Sequence, residues 1–201
     1  MNDETQIPNA TTGEDISDLL LRHLTTKDSR NVVELERIGQ AYDKHVFRGR
    51  KKKIESRWFT DEYIRQVHRD MFGGIWSWAG KYRQVDLNLG INWSQIPEQV
   101  LVLCEDFAFW NSSKNSMPIL EVAARLQSRL TRIHPFKNGN GRHARLITDI
   151  FFRSRNHPLP KWPQIQRIEN GESLRGQYIV SMKEADVGNF DPLMRFIERC
   201  F

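Results

Sequence analysis

Residues 134–145 read HPFKNGNGRHAR, and this is where the sequence stops being generic. His134 offers an imidazole with an ordinary pKa of about 6.5, able to take a proton near neutral pH, which makes it the candidate general base. Gly139, Asn140 and Gly141 can adopt backbone conformations closed to most residues, so consecutive amides can turn inward as an anion-binding nest. The nest is expected at a helix N-terminus, where unpaired N–H groups and the helix dipole favour phosphate. Arg142 and Arg145, three apart, would place two guanidinium forks beside a polyphosphate. Activating a hydroxyl next to a bound phosphate chain is what nucleotidyl or phosphoryl transfer requires. Alone, a His at a helix end is usually a cap and a Gly-Asn-Gly usually a turn. Their ordered coincidence within twelve residues points to function. Phe136 reads as an anchor for the loop, and Pro135 as a restraint on the backbone of His134.

The flanking patterns are helical. Ile16, Leu19, Leu20 and Leu24 recur at helical spacing, and Val32, Leu35, Ile38, Tyr42 and Val46 repeat it. Thr60, followed by Asp61 and Glu62, predicts an N-cap for a helix carrying Tyr63, Ile64, Val67, His68 and Met71 and ending at Gly73-Gly74. Pro97 predicts the start of a helix with Val100, Leu101, Cys104, Phe107 and Ala108 inward. Ile119, Val122, Ala123, Leu126 and Leu130 predict another that ends near His134. A helix from about 140 to 152 follows the loop, with Ile147, Ile150 and Phe151 inward, and two more close the chain at about 171–184 and 191–200. Between Tyr82 and Trp93 the period changes to two: Val85, Leu87, Leu89, Ile91 and Trp93 alternate with polar residues or glycine. The expectation is an all-α protein with one short β-hairpin, an exposed flap.

The motif resembles the signature of the Fic (Fido-domain) family, usually written HPFx(D/E)GNGRxxR. Asn138 stands where the family usually has Asp or Glu. Upstream, HRDMFGGIWSWAGKYR (68–83) is similar to the helix and W-A-G-x-x-R segment that precede the family's flap. The likeness covers about residues 55–201, and HLTTKDS near Leu24 resembles the subgroup called mobile mystery protein B. The resemblance implies a Fic-fold helical bundle and a protein adenylyltransferase, which moves AMP from ATP to a Tyr, Thr or Ser hydroxyl of a target protein. His134 would deprotonate that hydroxyl, the 139–141 backbone would cradle phosphates, and Arg142 and Arg145 would hold the β- and γ-phosphates. The flap, Asp86, Leu87, Asn88, Leu89, Gly90 and Ile91, would pair with an extended stretch of the target. Asn138 would be a neutral, weaker ligand for Mg²⁺ than a carboxylate. Two alternatives stand beside this reading: a transferase using another nucleotide or phosphate-bearing donor, and a non-catalytic nucleotide-binding module. The family's inhibitory pattern (S/T)xxxE(G/N) has one match in spacing, Ser94 to Glu98, but Gln99 and Pro97 break it. A separate antitoxin-like inhibitor, or weak intrinsic activity through Asn138, would fit instead.

Bulk properties agree. The 201 residues suit one domain of 55–201, preceded by helices and a basic linker over 16–54 and a flexible polar tail over 1–15. A 39% apolar content without a long apolar run excludes a membrane span, and the N-terminus lacks a secretory signal, so a cytoplasmic protein is expected. Net charge is +5, yet the densest basic run, Arg48 to Lys53, lacks interleaved aromatics, which argues against nucleic acid. Cys104 and Cys200 are too few for a disulfide framework, and His23, His45, His68, His143 and His157 show no metal-ligand spacing, reading as surface or packing residues.

Overall fold

The computed structural model describes residues 16–48, 58–112, 117–163, 168–169 and 172–201. The expected tail, and the basic run beyond Arg48, lie outside these. Among the described residues there are seven α-helices: α1 (Lys27–Tyr42), α2 (Asp61–Phe72), α3 (Ile96–Trp110), α4 (Ile119–Ile133), α5 (Asn140–Ser154), α6 (Leu174–Asp186) and α7 (Asp191–Glu198). Two-residue strands β1 (Ile168–Glu169) and β2 (Glu172–Ser173) pair antiparallel just before α6. Among the described residues no helix is long and apolar enough to cross a membrane.

The central element is α5. Ala144, Ile147, Ile150, Phe151 and Phe152 are all buried, and α5 packs on α4 and α2. Each large apolar side chain removed from water there stabilises by about 1.5–3 kcal/mol. Helix α4 answers with Val122, Ala123, Leu126 and Leu130, as its spacing predicts. Helix α2 starts where expected: the Thr60 hydroxyl accepts from Tyr63 N–H at 3.2 Å. Thr26 caps α1 in the same way, accepting from Ser29 N–H at 3.1 Å.

Three expectations fail for physical reasons. The apolar spacing over 16–24 gives only a single 3₁₀ turn, Ile16–Asp18, because the backbone there is taken up by the chain after α2: Leu20 N–H donates to Ile75 O and Ser77 N–H to Asp18 O. On α1, Val32 and Leu35 are exposed at 67% and 72%, while Arg30 and Glu34 are buried, so the inward seam carries charge that finds partners instead of the apolar stripe. This second departure extends to α3, where Leu101 also faces outward and Leu103 takes the core position.

The third concerns the expected β-hairpin over 85–93, which is an irregular loop. Its polar groups are satisfied by side chains instead of a strand partner. Asp86 accepts from Trp93 N–H at 2.9 Å and from the Asn92 amide at 3.1 Å. Arg83 takes the carbonyls of Val85 and Ile91 at 2.8 and 2.5 Å. The alternation holds only over its middle: Leu87, Leu89 and Ile91 are half-buried and Asp86, Asn88, Gly90 and Asn92 exposed, while Val85 and Trp93 at its two ends are exposed as well. Period two reported one-sided burial of an extended loop and not a ladder.

Candidate functional site

The left-handed turn at His134 begins the site. It ends α4 with φ 51 and ψ 58, a conformation that a residue before proline ordinarily avoids in favour of extended backbone. Pro135 therefore does not set this geometry; the surroundings do. His134 N–H donates to Leu130 O at 3.1 Å, Arg83 Nε donates to His134 O at 2.8 Å, and Arg83 N–H donates to Pro135 O at 2.9 Å. Such backbone strain costs about 1–3 kcal/mol and is held only where several bonds over-determine it. The imidazole is 9% exposed, and burial pushes its pKa down to about 4, with the Arg83 charge adding and the Thr131 carbonyl opposing. At neutral pH it is an uncharged proton acceptor.

From Phe136 to Asn140 the loop is closed by one side chain: Phe136 N–H donates to Asn140 Oδ1 at 2.9 Å and Asn140 Nδ2 donates to Phe136 O at 2.8 Å. Phe136 is fully buried, stacked on His68 with centroids 3.6 Å apart and planes 7° off parallel, so it is the anchor its position suggests. Gly139, with φ 79, precedes α5, and its N–H donates to Asn138 Oδ1 at 2.7 Å. The first-turn amides of Asn140, Gly141 and Arg142 lack an intrahelical acceptor and carry the positive end of the helix dipole.

Three residues outside the motif, His68, Arg83 and Glu34, and His143 within it, position the loop. His68 is buried and neutral, its pKa held well below the usual range by burial, with the charges of His143 and Arg142 adding; its Nε2 donates to Asn138 O at 3.0 Å while Nδ1 accepts from Gly80 N–H at 2.9 Å. His143, also pushed down to about 4 by burial, donates from Nε2 to Ile64 O at 3.0 Å. Arg83 joins the loop over 85–91 to His134. Glu34 reaches in from α1, accepting from Arg142 Nη1 at 2.5 Å and from Trp76 Nε1 at 2.6 Å. Below the motif, Asp149 accepts from Trp162 Nε1 at 2.9 Å; burial raises its pKa to about 7 against that bond, one from Tyr42 and the Arg145 charge.

These parts line one cleft of about 820 Å³, the size of a small-molecule site. His134, Asn138 to Arg142 and Arg145 form one wall, and Leu89, Gly90 and Ile91 close one side; Asp86, Leu87 and Asn88 lie outside it. The opposite wall is α6, with Arg175, Tyr178 and Lys183. The sequence predicts this helix, at about 171–184, but nothing in it marks α6 as a wall of the site, since isolated basic residues on a late helix have no motif to flag them. The WAGKYR segment did carry a signal for Arg83 and Gly80. Among the described residues no group of three or more His, Cys, Asp or Glu side chains could hold a metal ion.

Comparison with known proteins agrees with this architecture. Residues 58–152 match the Fic/DOC family. It is 28% identical over 150 residues to the protein adenylyltransferase Fic of Drosophila mojavensis, an alignment covering 73% of this chain and 28% of that relative. This chain thus spans under a third of the length of that curated relative. A Fic-domain signaling protein from Bacteroides thetaiotaomicron shares the fold with a TM-score of 0.66 at 19% identity, covering 87% of this chain and 69% of the other. BepC of Bartonella tribocorum, solved with bound AMPPNP, superposes with a TM-score of 0.55 at 19% identity over 84% and 86% of the two chains.

Proposed function

We propose that this chain transfers AMP from ATP to a Tyr, Thr or Ser hydroxyl of a target protein. The observation that carries the proposal is one cleft holding a neutral, buried His134 beside the free first-turn amides of α5 and the side chains of Arg142 and Arg145. The relatives named protein adenylyltransferases support it. In this reading His134 takes the proton of the target hydroxyl as its oxygen attacks the α-phosphorus. The bond from the α-phosphorus to the bridging oxygen breaks, and pyrophosphate leaves. The amides of Asn140, Gly141 and Arg142 and the two guanidiniums balance the phosphate charge. Of the loop from Asp86 to Ile91, the part from Leu89 to Ile91 lines the cleft, and an extended target segment would lie against the loop there. The cytoplasmic setting, the subgroup placement and a separate antitoxin-like inhibitor belong to the same proposal.

The fit of Mg²⁺ turns on Asn138. Its amide oxygen is a neutral ligand that already accepts from Gly139 N–H, and among the described residues Asp186 is the one carboxylate lining the cleft, so magnesium would be held mainly by the phosphates and water. When bound it would neutralise phosphate charge. The second reading, a nucleotide-binding module without transfer, rests on this residue.

Intact-mass measurement after incubation with ATP and Mg²⁺, looking first for self-modification, decides between them. An increment of one AMP supports the proposal; nucleotide binding without any increment favours the module, and a different increment marks another donor. In the same assay Asn138→Asp is expected to lower the Mg²⁺ concentration needed for transfer, since a carboxylate adds a charged oxygen for the cation. Unchanged metal dependence would show that position 138 does not touch the metal.

A further inference from the structure

We propose that Glu34, on α1 and outside the motif, is a positioning residue that presets Arg142 for the nucleotide phosphates; this rests on Arg142 being a phosphate ligand, as proposed above. The carboxylate is 2% exposed and meets two donors with its two oxygens. Oε2 accepts from Arg142 Nη1 at 2.5 Å and Oε1 from Trp76 Nε1 at 2.6 Å. The Phe72 ring lies against the same guanidinium, its centroid 4.8 Å from Cζ. Arg142 is thus fixed on its inner side by a charge and a ring, while 36% of its side chain stays exposed and the residue lines the cleft. A guanidinium has five N–H donors in a planar fork, so one bond to Glu34 leaves the others to a ligand.

A carboxylate beside a phosphate-binding arginine could instead be a brake that competes with the phosphates. The second oxygen argues against this. Trp76 is 2% exposed and stacked on Trp78 with centroids 5.4 Å apart, so withdrawing Glu34 would strip a buried indole N–H of its acceptor. Glu34 is anchored from behind, and what it can do to Arg142 is hold it. Holding a long side chain in place before the ligand arrives removes part of the ordering cost of binding.

The test is calorimetric binding of ATP to the full chain, its Glu34→Ala and Arg142→Ala variants, and the double variant. Glu34→Ala is expected to weaken ATP binding about tenfold, because Arg142 must then be ordered on binding. The double variant is expected to bind no more weakly than Arg142→Ala alone, because Glu34 acts only through that side chain. A purely structural role would give additive losses, and these would overturn the inference. So would unchanged affinity in Glu34→Ala, or tighter binding, which would identify a brake. If Arg142→Ala itself has no effect, the phosphate role of Arg142 falls and the inference with it; that failure is separate from the others. Should Glu34→Ala not fold, Glu34→Gln replaces it, since an amide offers one acceptor oxygen to two donors; an affinity between those of the unaltered chain and Arg142→Ala is expected, and one equal to the unaltered chain would overturn the proposal.

Discussion

Replacing His134 with Ala is expected to lower the proposed AMP transfer by ~10²-fold or more while ATP affinity stays close to that of the unaltered chain. The two effects would separate because, in the proposed reaction, the imidazole acts on the acceptor hydroxyl, whereas the phosphates meet the amides that begin α5 and the two arginines. The backbone supplies a control. With φ at 51, position 134 favours Asn over most other residues, so His134→Asn keeps the turn and removes the base. Both variants should lose turnover alike. The pH profile adds a third reading: with its pKa pushed down to about 4 by burial, the imidazole stays unprotonated as pH falls through 6.5, so the acid limb of transfer is expected well below that value. Single-turnover transfer and calorimetric ATP binding, measured together, check this; equal losses in both would make His134 structural.

The second large effect is at Gly139. A Cβ placed there meets the Phe72 ring at 2.5 Å, and φ is +79, so Gly139→Ala suffers steric and backbone penalties at once. A left-handed Ala costs roughly 1–2 kcal/mol and overpacking a core ring about 1–3 kcal/mol. A Tm drop of roughly 4–20 °C follows for a chain of this length, with ATP binding weakened because the loop must shift to relieve the clash. Gly141 is the comparison. It is helical, and a Cβ there meets nothing within 4 Å, so Gly141→Ala should keep or slightly raise Tm. Thermal melts with and without ATP read both outcomes; a Gly139→Ala protein as stable as the unaltered chain would show that the loop has more room than Phe72 leaves it.

What could be read from the sequence was local. The motif is contiguous, and α2, α4 and α5 each carry both a cap or turn signal and a full apolar period, so their positions are legible within a few residues. The partners that set the motif's geometry are distant in sequence: Glu34 is 108 residues from Arg142, His68 is 70 from Asn138, and Arg83 is 51 from His134. No periodicity encodes such pairs. Val32 and Leu35 misled because α1 turns a charged seam toward the protein, which becomes intelligible only once Arg142 and Trp76 are seen as the partners of Glu34. The flap misled for another reason: one-sided burial gives the same alternation whether hydrogen bonds run to a neighbouring strand or to Asp86 and Arg83.

The two walls of the cleft differ in how firmly they are built. Helix α5 is buried along most of its length, whereas α6 buries only Leu174, Ser181, Met182 and Ala185, and its link to α4 includes a side-chain bond at 2.9 Å from Gln127 to the Tyr178 hydroxyl and the charge of Arg132 acting on Asp186. Fluctuations that expose the cleft therefore fall to α6, the element with the smaller free energy of local opening. A ligand that touches both walls favours the closed ensemble by mass action, so its grip on Arg175, Tyr178 and Lys183 and the integrity of α6 are one thermodynamic quantity seen from two sides.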